Sequence, residues 1–283
     1  LRNDIFCFNV ESIPELEVIN ELAVRENKIA SICLRVNPNI KAHTHTHIRT
    51  GVAENKFGIA FDEIMYVIKL ANTMSNITFK GLHFHIGSQI TEMDDFISLC
   101  MCINRLLEMM EVEGIKAEII NVGGGLGVDY DTPQMHAIPD FHAYFQTYIN
   151  NLQLRPWQTL HFELGRSVVA QCGTLFTRVL YVKKGVQKQF AIVDAGMTDL
   201  IRPALYHAHH KIENISSTAK TYEYYDVVGP ICESTDVFDK QVGMPTTKRG
   251  DMLAIHSIGA YGEVMASHYN CRALPKAYTD KEI

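Results

Sequence analysis

The chain has 283 residues, of which 47% are hydrophobic and 20% are charged. This is the composition of a soluble globular protein, and the length allows one or two domains with a sizeable core. The formal net charge of -6 argues against binding to nucleic acid or to an anionic membrane surface. No apolar run approaches the roughly 20 residues of a membrane-spanning helix, and no signal-peptide pattern opens the sequence. We therefore expect no nucleic-acid partner and no membrane partner.

Cysteine usage indicates the redox compartment. The seven cysteines are scattered along the chain, and none belongs to a C-x-x-C pair. A zinc site or a disulfide framework is therefore not expected. Reduced thiols in the cytoplasm are the better interpretation.

The first half of the chain alternates strand and helix patterns. Ser12 and Glu15 form a capping-box pattern that opens the first helix, and further helices are expected after Asp62, after Thr91 and at 141–152. Strands separated by helices predict a parallel sheet or a (β/α) barrel, in which ligands gather at the carboxyl ends of the strands. The predicted strands lie at 5–10, 32–36, 79–86, 117–122 and 159–163.

From about Gly173 the pattern changes to short β-rich runs between turn signals. No long helix pattern occurs there, which predicts a mostly β domain. We therefore divide the chain into an α/β domain at 1–170 and a β-rich domain at 171–283. The β-rich runs lie at 175–182, 190–194, 222–228 and 252–256.

Three consecutive glycines, Gly123, Gly124 and Gly125, follow the fourth predicted strand. Such a turn can present backbone N–H groups to an anion. The segment is not a Walker loop, and no helix plainly opens after Gly127, so on its own it is a weak phosphate signal. A turn that binds nothing is the more common interpretation of three glycines. The weight of this segment comes from the motifs that accompany it.

Six motifs occur in a fixed order and together resemble those of the diaminopimelate decarboxylases, pyridoxal-phosphate enzymes of the alanine-racemase-like barrel class. The resemblance covers essentially the whole chain. It implies a (β/α)8-type barrel, partial in this chain, followed by a mostly β carboxy-terminal domain. The motifs are HFHIGSQ at 83–89, NVGGGLG at 121–127, ELGR at 163–166, DAGMTDLIRPALY at 194–206, GPICES at 229–234 and GAYG at 259–262.

The resemblance also implies an activity. Family members use pyridoxal 5'-phosphate to decarboxylate meso-2,6-diaminopimelate at its D-centre, which gives L-lysine and carbon dioxide in the last step of lysine biosynthesis. The cofactor requires a phosphate cradle, a carboxylate at its pyridine nitrogen and a group packed on the ring. The substrate carries a second amino acid group, whose carboxylate suits arginine and whose ammonium suits a carboxylate.

Roles for individual residues follow from the resemblance. His85 would stack on the cofactor ring, and Glu163 would pair with its pyridine nitrogen. Cys232 would donate the proton to Cα after carbon dioxide leaves. The phosphate would be held by Ser88, Gly123, Gly124, Gly125 and Tyr261, with Gly165 and Arg166 also at the cofactor, and the substrate would be bound by Arg166, Arg202, Tyr206 and Glu233.

The family also predicts the assembly. Cys232, Glu233 and Tyr261 are expected to reach the site of a neighbouring subunit, which implies a homodimer with shared active sites. In isolation each residue has a less interesting interpretation: a lone cysteine is usually inert, and Glu163 with Arg166 is as often a surface ion pair. Only the ordered set favours the functional interpretation.

The histidines outside these motifs do not predict a metal site. Three of them, His43, His45 and His47, alternate with threonines, but no acidic or cysteine ligand lies nearby. A second group, His207, His209 and His210, is interpreted as surface residues or as residues that support the site.

The sequence departs from the family in one important respect. The family carries its Schiff-base lysine on the first barrel strand, and no similar stretch occurs here. The chain resembles the family from its fourth strand onward, so we expect an amino-terminal part to be missing. A smaller departure is Leu164, where many relatives have proline.

Two alternatives remain open. A catalytically silent homologue that acts as a regulatory binding partner is favoured by the absence of the lysine, and disfavoured by the retention of Cys232, Glu233, Arg202 and Tyr261. A decarboxylase for another basic amino acid is disfavoured by the pair of Arg202 and Glu233.

Overall fold

The computed structural model describes residues 1–40 and 56–279. These residues form two compact units. The amino-terminal unit comprises the described residues of 1–127 together with 140–164, and the carboxy-terminal unit comprises 128–139 together with 165–279. No helix in the described part of the chain is both long and apolar enough to cross a membrane. The division at residue 170, and a β-rich domain that completes a site across a dimer interface, stay predictions.

The amino-terminal unit is built on one parallel sheet covered by helices. Its strands are paired in the order β1-β2-β4-β5-β6, with β3 also paired to β2. The predicted alternation of strands and helices is confirmed. The strands are β1 (Phe8–Val10), β2 (Ala30–Asn37), β3 (Ile59–Ala60), β4 (Ile77–His83), β5 (Ile119–Asn121) and β6 (Thr159–His161). The helices are α1 (Ile13–Arg25), α2 (Ile64–Thr73), α3 (Met93–Val112) and α4 (Phe141–Asn151).

Three helices begin close to the positions expected from the sequence. Ser12 caps α1 as predicted, because its Oγ accepts a hydrogen bond from the backbone N–H of Glu15. The carboxylate of Glu15 accepts from the backbone N–H of Glu11. The helix expected after Asp62 begins at Ile64, with Glu63 and not Asp62 at its cap position and no side-chain cap. The helix expected after Thr91 begins at Met93.

The register of the sheet separates a polar face from an apolar one. Arg35 pairs with His83, His83 with Asn121, and Asn121 with His161, so these four residues form one row. Their predecessors form the adjacent row, which contains Leu34, Leu82 and Ile120, and successive side chains of a strand point to opposite faces. These three residues are fully buried in the main hydrophobic core together with helix residues. The polar row therefore lies on the face that the main core does not use.

The carboxy-terminal unit is mostly β, as predicted. Its sheet has the order β11-β10-β8-β7-β12-β9, and every pairing is antiparallel except that of β10 with β8. The sequence did not predict β9, β11 or α6. The elements are α5 (Arg166–Val169), β7 (Leu175–Lys184), β8 (Gln189–Val193), α6 (Arg202–Tyr206), β9 (Ile212–Asn214), β10 (Tyr222–Val228), β11 (Val237–Pro245) and β12 (Met252–Ile255).

The contact between β4 and β5 provides a test of this fold. A Cβ atom on Gly81 would lie 1.9 Å from the backbone oxygen of Ile119, so Gly81→Ala must push the two strands apart. We expect it to lower the free energy of unfolding by about 3 kcal/mol, as measured by urea unfolding followed by circular dichroism. Gly114→Ala is the control, because its Cβ would meet nothing within 4 Å and only its φ of +67° is strained, at about 1 kcal/mol. Equal losses in the two variants would contradict the close approach.

Candidate active site

The carboxylate of Glu163 is the centre of the polar face in the amino-terminal unit. Its Oε1 accepts hydrogen bonds from Nδ2 of Asn121 at 2.8 Å and from Nδ2 of Asn9 at 3.1 Å. Its Oε2 lies 3.2 Å from Nε2 of His83. The hydrogen bond with His83 is the main reason why the pKa of Glu163 is lowered to about 2. Glu163 is therefore a fixed anion at neutral pH, although its side chain remains 45% exposed.

Strand geometry explains why these side chains meet. His83 and Asn121 end two adjacent strands and are paired in register, and Glu163 comes two residues after the end of β6. The carboxyl ends of parallel strands lie at the same edge of a sheet, so polar residues placed there converge. Nδ1 of His83 is buried and has no hydrogen-bond partner among the described residues. The ring is therefore held from its Nε2 side alone.

His85 lies beyond the end of β4, on the same face as His83. Its Nδ1 accepts a hydrogen bond from the backbone N–H of Gly124 at 3.3 Å. Burial, assisted by the charge of Arg35, lowers the pKa of His85 to about 4. The imidazole is therefore neutral at physiological pH, with Nδ1 as its acceptor nitrogen.

The glycine segment is a tight turn packed on its neighbours. Gly123 has a φ of +68°, and a Cβ there would lie 2.3 Å from the carbonyl oxygen of Phe84. A Cβ on Gly124 would lie 2.4 Å from the backbone oxygen of Glu163. Two of the three amides are engaged within the protein, because the N–H of Gly123 donates to Asn121 and that of Gly124 to His85. The glycines thus bring the chain of β5 close to the residues after β4 and β6.

The carboxy-terminal unit holds two buried arginines from the sequence motifs. Arg166 opens α5 and Arg202 opens α6, and they are 5% and 4% exposed. Both donate a hydrogen bond to the hydroxyl oxygen of Tyr130, at 2.6 Å from Nη1 of Arg166 and 3.1 Å from Nη1 of Arg202. Burial lowers the pKa of Arg202. The two cations therefore share one neutral acceptor.

Two tyrosines predicted at the site belong to the same unit. Tyr206 is the last residue of α6, one helical turn after Arg202, so the two share a helix face. Tyr261 has a φ of +63°, and its ring lies 5.1 Å from the guanidinium carbon of Arg166. Its hydroxyl would be 3.3 Å from a Cβ on Gly165. Arg166 thus connects Tyr130 with Tyr261.

The predicted proton donor and its neighbour lie on the surface. Cys232 and Glu233 are both exposed, and Glu233 accepts a hydrogen bond from the hydroxyl of Tyr269. Their loop is held from beneath by Asp236, whose carboxylate accepts from the backbone N–H groups of Met197 and Ile231. The loop is therefore fixed while its chemical groups remain accessible.

Several residues of these arrangements were missed in the sequence. Asn9, Asn121 and His83 hold Glu163, and Tyr130 holds the two arginines, yet none of these four was assigned a role. His210, which contacts Arg202, was expected only as a surface or supporting residue. The only signal was position, since Asn121 lies two residues before the first glycine of the turn and His83 lies two residues before His85.

The remaining histidine interpretations have different outcomes. His43, His45 and His47 lie outside the described residues. His209 is half exposed and lies 2.7 Å from a carboxylate oxygen of Asp239. His210 is 1% exposed, so it is not a surface residue.

Comparison with known proteins identifies the class. The model of the pyridoxal binding domain of the pyridoxal-dependent decarboxylases matches residues 1–170. The chain is 62% identical over 283 residues to the diaminopimelate decarboxylase of Bacteroides thetaiotaomicron, and the matched region covers 100% of this chain and 73% of that protein. It is 43% identical over 272 residues to the diaminopimelate decarboxylase of Haemophilus influenzae, covering 95% of this chain and 64% of that protein.

The solved structures agree. The crystal structure of diaminopimelate decarboxylase from Helicobacter pylori complexed with L-lysine superimposes with a TM-score of 0.88 at 40% identity, covering 95% of this chain and 66% of that one. The protein is thus a pyridoxal-dependent decarboxylase by fold and sequence. Within that class, the chain belongs to the diaminopimelate decarboxylase family. The predicted fold class, a barrel-type α/β portion followed by a mostly β domain, is confirmed.

The amino-terminal unit fits the cofactor of this family, pyridoxal phosphate. The fit rests on the carboxylate of Glu163. Three side chains orient it, and its lowered pKa keeps it ionised even at pH values well below neutral. A carboxylate of this kind is what a protonated pyridine nitrogen requires. The glycine turn supports the fit, because Gly124 packs against the backbone of Glu163 so closely that a Cβ atom has no room there. The individual cofactor contacts of Ser88 and the glycines stay predictions.

The pKa of Glu163 predicts a pH-dependent contribution to stability. Because the folded-state pKa of about 2 is below the ordinary 4.5, ionised Glu163 stabilises the fold above the ordinary pKa, and this contribution is lost as the pH falls toward the folded value. We expect Glu163→Gln to be less stable than the wild type near neutral pH and the difference to shrink as the pH is lowered to about 3. Urea unfolding at each pH measures it. Glu17→Gln, on the exposed side of α1, is the control and should show no such trend. A difference that stays constant with pH would contradict the assignment.

Proposed function

We propose that the full-length protein decarboxylates meso-diaminopimelate at its D-centre and releases L-lysine and carbon dioxide. The observation that carries the proposal is the pair of buried arginines, Arg166 and Arg202, which converge on the hydroxyl of Tyr130. A substrate with a second carboxylate requires such a pair, and a simple diamine precursor does not. Membership in the family supports the same reaction.

The cofactor supplies an electron sink for the carbanion that is left at Cα when carbon dioxide departs. Glu163 maintains the positive charge of the pyridine nitrogen on which this sink depends, because its carboxylate stays ionised and its orientation is fixed by His83, Asn9 and Asn121. The imidazole of His85 is neutral, and the hydrogen bond from the N–H of Gly124 fixes its orientation. A neutral imidazole can pack on the cofactor ring without repelling the positive charge of the pyridine nitrogen.

The substrate residues have separate tasks. Arg166, Arg202 and Tyr206 bind the carboxylate at the end of the substrate that does not react. Glu233 pairs with the ammonium group at that end, with its carboxylate oriented by Tyr269. Recognition of both charges at the distal end selects diaminopimelate over lysine, ornithine and arginine as the substrate to be decarboxylated. This selection distinguishes the proposed reaction from that of a related basic amino acid decarboxylase.

Cys232 completes the reaction by transferring the proton of its Sγ to Cα. The exposure of Cys232 and Glu233 suits residues that act in the site of a neighbouring subunit. We therefore propose a cytoplasmic homodimer in which each subunit contributes Cys232, Glu233 and Tyr261 to its partner's site. The seven unpaired cysteines are in keeping with a reducing compartment.

The first experiment is turnover by the full-length protein, since the curated relatives extend beyond the region that this chain matches. Carbon dioxide release and lysine formation are followed with meso-diaminopimelate, L-lysine, L-ornithine and L-arginine as separate substrates. Release from diaminopimelate alone supports the proposal. Binding of diaminopimelate without release of carbon dioxide would favour a catalytically silent homologue, and release from another amino acid would favour a related decarboxylase.

The role of Cys232 predicts a specific kinetic defect. Cys232→Ala removes the proton donor, so kcat should fall by about 10²- to 10⁴-fold, the usual contribution of general acid catalysis. KM for diaminopimelate should change little. Cys271→Ala, which removes another exposed thiol, should keep wild-type kcat. A Cys232→Ala variant with normal kcat would remove Cys232 from the mechanism.

Shared sites predict complementation between inactive variants. Glu163→Ala and Cys232→Ala each inactivate a different half of a site, so a hybrid dimer of the two retains one intact site of two. Random co-assembly of the co-expressed chains gives about one half hybrids, and therefore about a quarter of wild-type activity. Mixing the separately purified variants without subunit exchange is the control. A co-expressed sample no more active than its parents would mean that each subunit builds its site alone.

A further inference from the structure

Tyr130 connects the two arginines of the carboxy-terminal unit. Its hydroxyl oxygen accepts from Nη1 of both Arg166 and Arg202. The guanidinium carbons lie 5.9 Å and 5.1 Å from the centre of its ring, within the range of a cation–π interaction. One side chain therefore sets the separation of two like charges.

His210 fixes the second arginine from the other side. Its Nε2 is 2.9 Å from Nη1 of Arg202, and its Nδ1 is 2.9 Å from the backbone oxygen of His256. A carbonyl oxygen only accepts, so Nδ1 carries the proton and Nε2 accepts from Arg202. Burial lowers the pKa of His210 to about 3, which keeps this acceptor available at neutral pH. The ring also packs edge-on against Tyr130, with centroids 5.0 Å apart.

Arg202 lacks an anionic partner within the described part of the chain. Among the described residues, no carboxylate forms an ion pair with Arg202, and its Nη1 donates to the hydroxyl of Tyr130 and to Nε2 of His210. Its Nε is buried and has no hydrogen-bond partner in the part of the chain that the structure describes. The hydroxyl of Tyr130 accepts two hydrogen bonds, and no described residue accepts its own proton. A buried guanidinium with an unused N–H is costly in the absence of an acceptor, and a carboxylate provides one.

We propose that Tyr130 and His210 are positioning residues, which hold Arg166 and Arg202 in the geometry that binds the distal carboxylate of the substrate. This inference rests on the proposed function and extends it to two residues outside the sequence motifs. Tyr130 sets the spacing of the two guanidinium groups, and His210 sets the rotation of Arg202. Neither touches the reacting carbon, so their contribution is to binding of the distal end and not to the chemical step.

The test uses ligands that differ in the distal carboxylate. Diaminopimelate and the product L-lysine both carry it, whereas 1,5-diaminopentane does not. Tyr130→Phe removes the hydroxyl and keeps the ring. We expect KM for diaminopimelate and the inhibition constant of L-lysine to rise together by about ten-fold, equal to about 1.4 kcal/mol, with kcat and the inhibition constant of 1,5-diaminopentane unchanged. Calorimetric titration with L-lysine gives the same comparison without turnover.

Three further variants complete the design. His210→Phe removes the acceptor for Arg202 and should reproduce the effect of Tyr130→Phe. His210→Gln retains a side-chain acceptor and should restore binding toward the wild-type value. Tyr222→Phe is the matched control, because this tyrosine is 69% exposed on β10 and should behave as the wild type. Thermal unfolding of each variant confirms that it is folded.

The outcomes separate the inference from the proposed function. Failure of the wild-type protein to decarboxylate diaminopimelate would overturn the proposed function, and lysine titration would still test the two residues. Normal lysine binding by Tyr130→Phe and His210→Phe would overturn the inference. An equal loss of affinity for L-lysine and 1,5-diaminopentane would also overturn it, because it would show general disturbance of the unit.

Discussion

The parallel register of the amino-terminal sheet is the constraint on which the site depends. Since His83, Asn121 and His161 are paired across three strands, the polar residues of each strand reach the same level on the same face. Side chains alternate with a period of two, so a shift of one residue would exchange this face with the apolar one. The buried row of Leu34, Leu82 and Ile120 prevents that shift. The hydrophobic core thus fixes the position of Glu163.

The two units handle their functional charges in the same way. Glu163 is stabilised by the amides of Asn9 and Asn121 together with His83, and Arg202 by a phenol and an imidazole. None of these five partners is a lysine, arginine, aspartate or glutamate side chain, so both charges can still bind a ligand group of opposite charge. Arg35 shows the contrast: it forms an ion pair with Glu11, and its charge is largely satisfied within the protein. Amide, hydroxyl and imidazole partners orient a charge and leave it able to bind a ligand, which is what a binding site requires.

The sequence predicted the parts of the structure that depend on local patterns. Apolar spacing located the four long helices of the first unit, and the ordered motifs located Glu163, Arg166 and Arg202. The partners of these residues could not be found in this way, because they are distant in the chain. His83 is separated from Glu163 by 80 residues and Tyr130 from Arg202 by 72. A lone asparagine, tyrosine or histidine carries no local signal of such a contact, and only the folded backbone brings it into place.

Some residues in and beside the motifs shape the backbone. In the carboxy-terminal unit, Asp236 is buried and joins two motif loops through the N–H groups of Met197 and Ile231. A Cβ on Gly229 would lie 2.3 Å from its carboxylate, so the glycine makes room for this connection. Burial raises the pKa of Asp236, which shows that the position is costly for its charged form. The hydrogen bonds of Asp236 hold the loop that carries Cys232 in one conformation. The exposed thiol on this loop therefore has a fixed orientation.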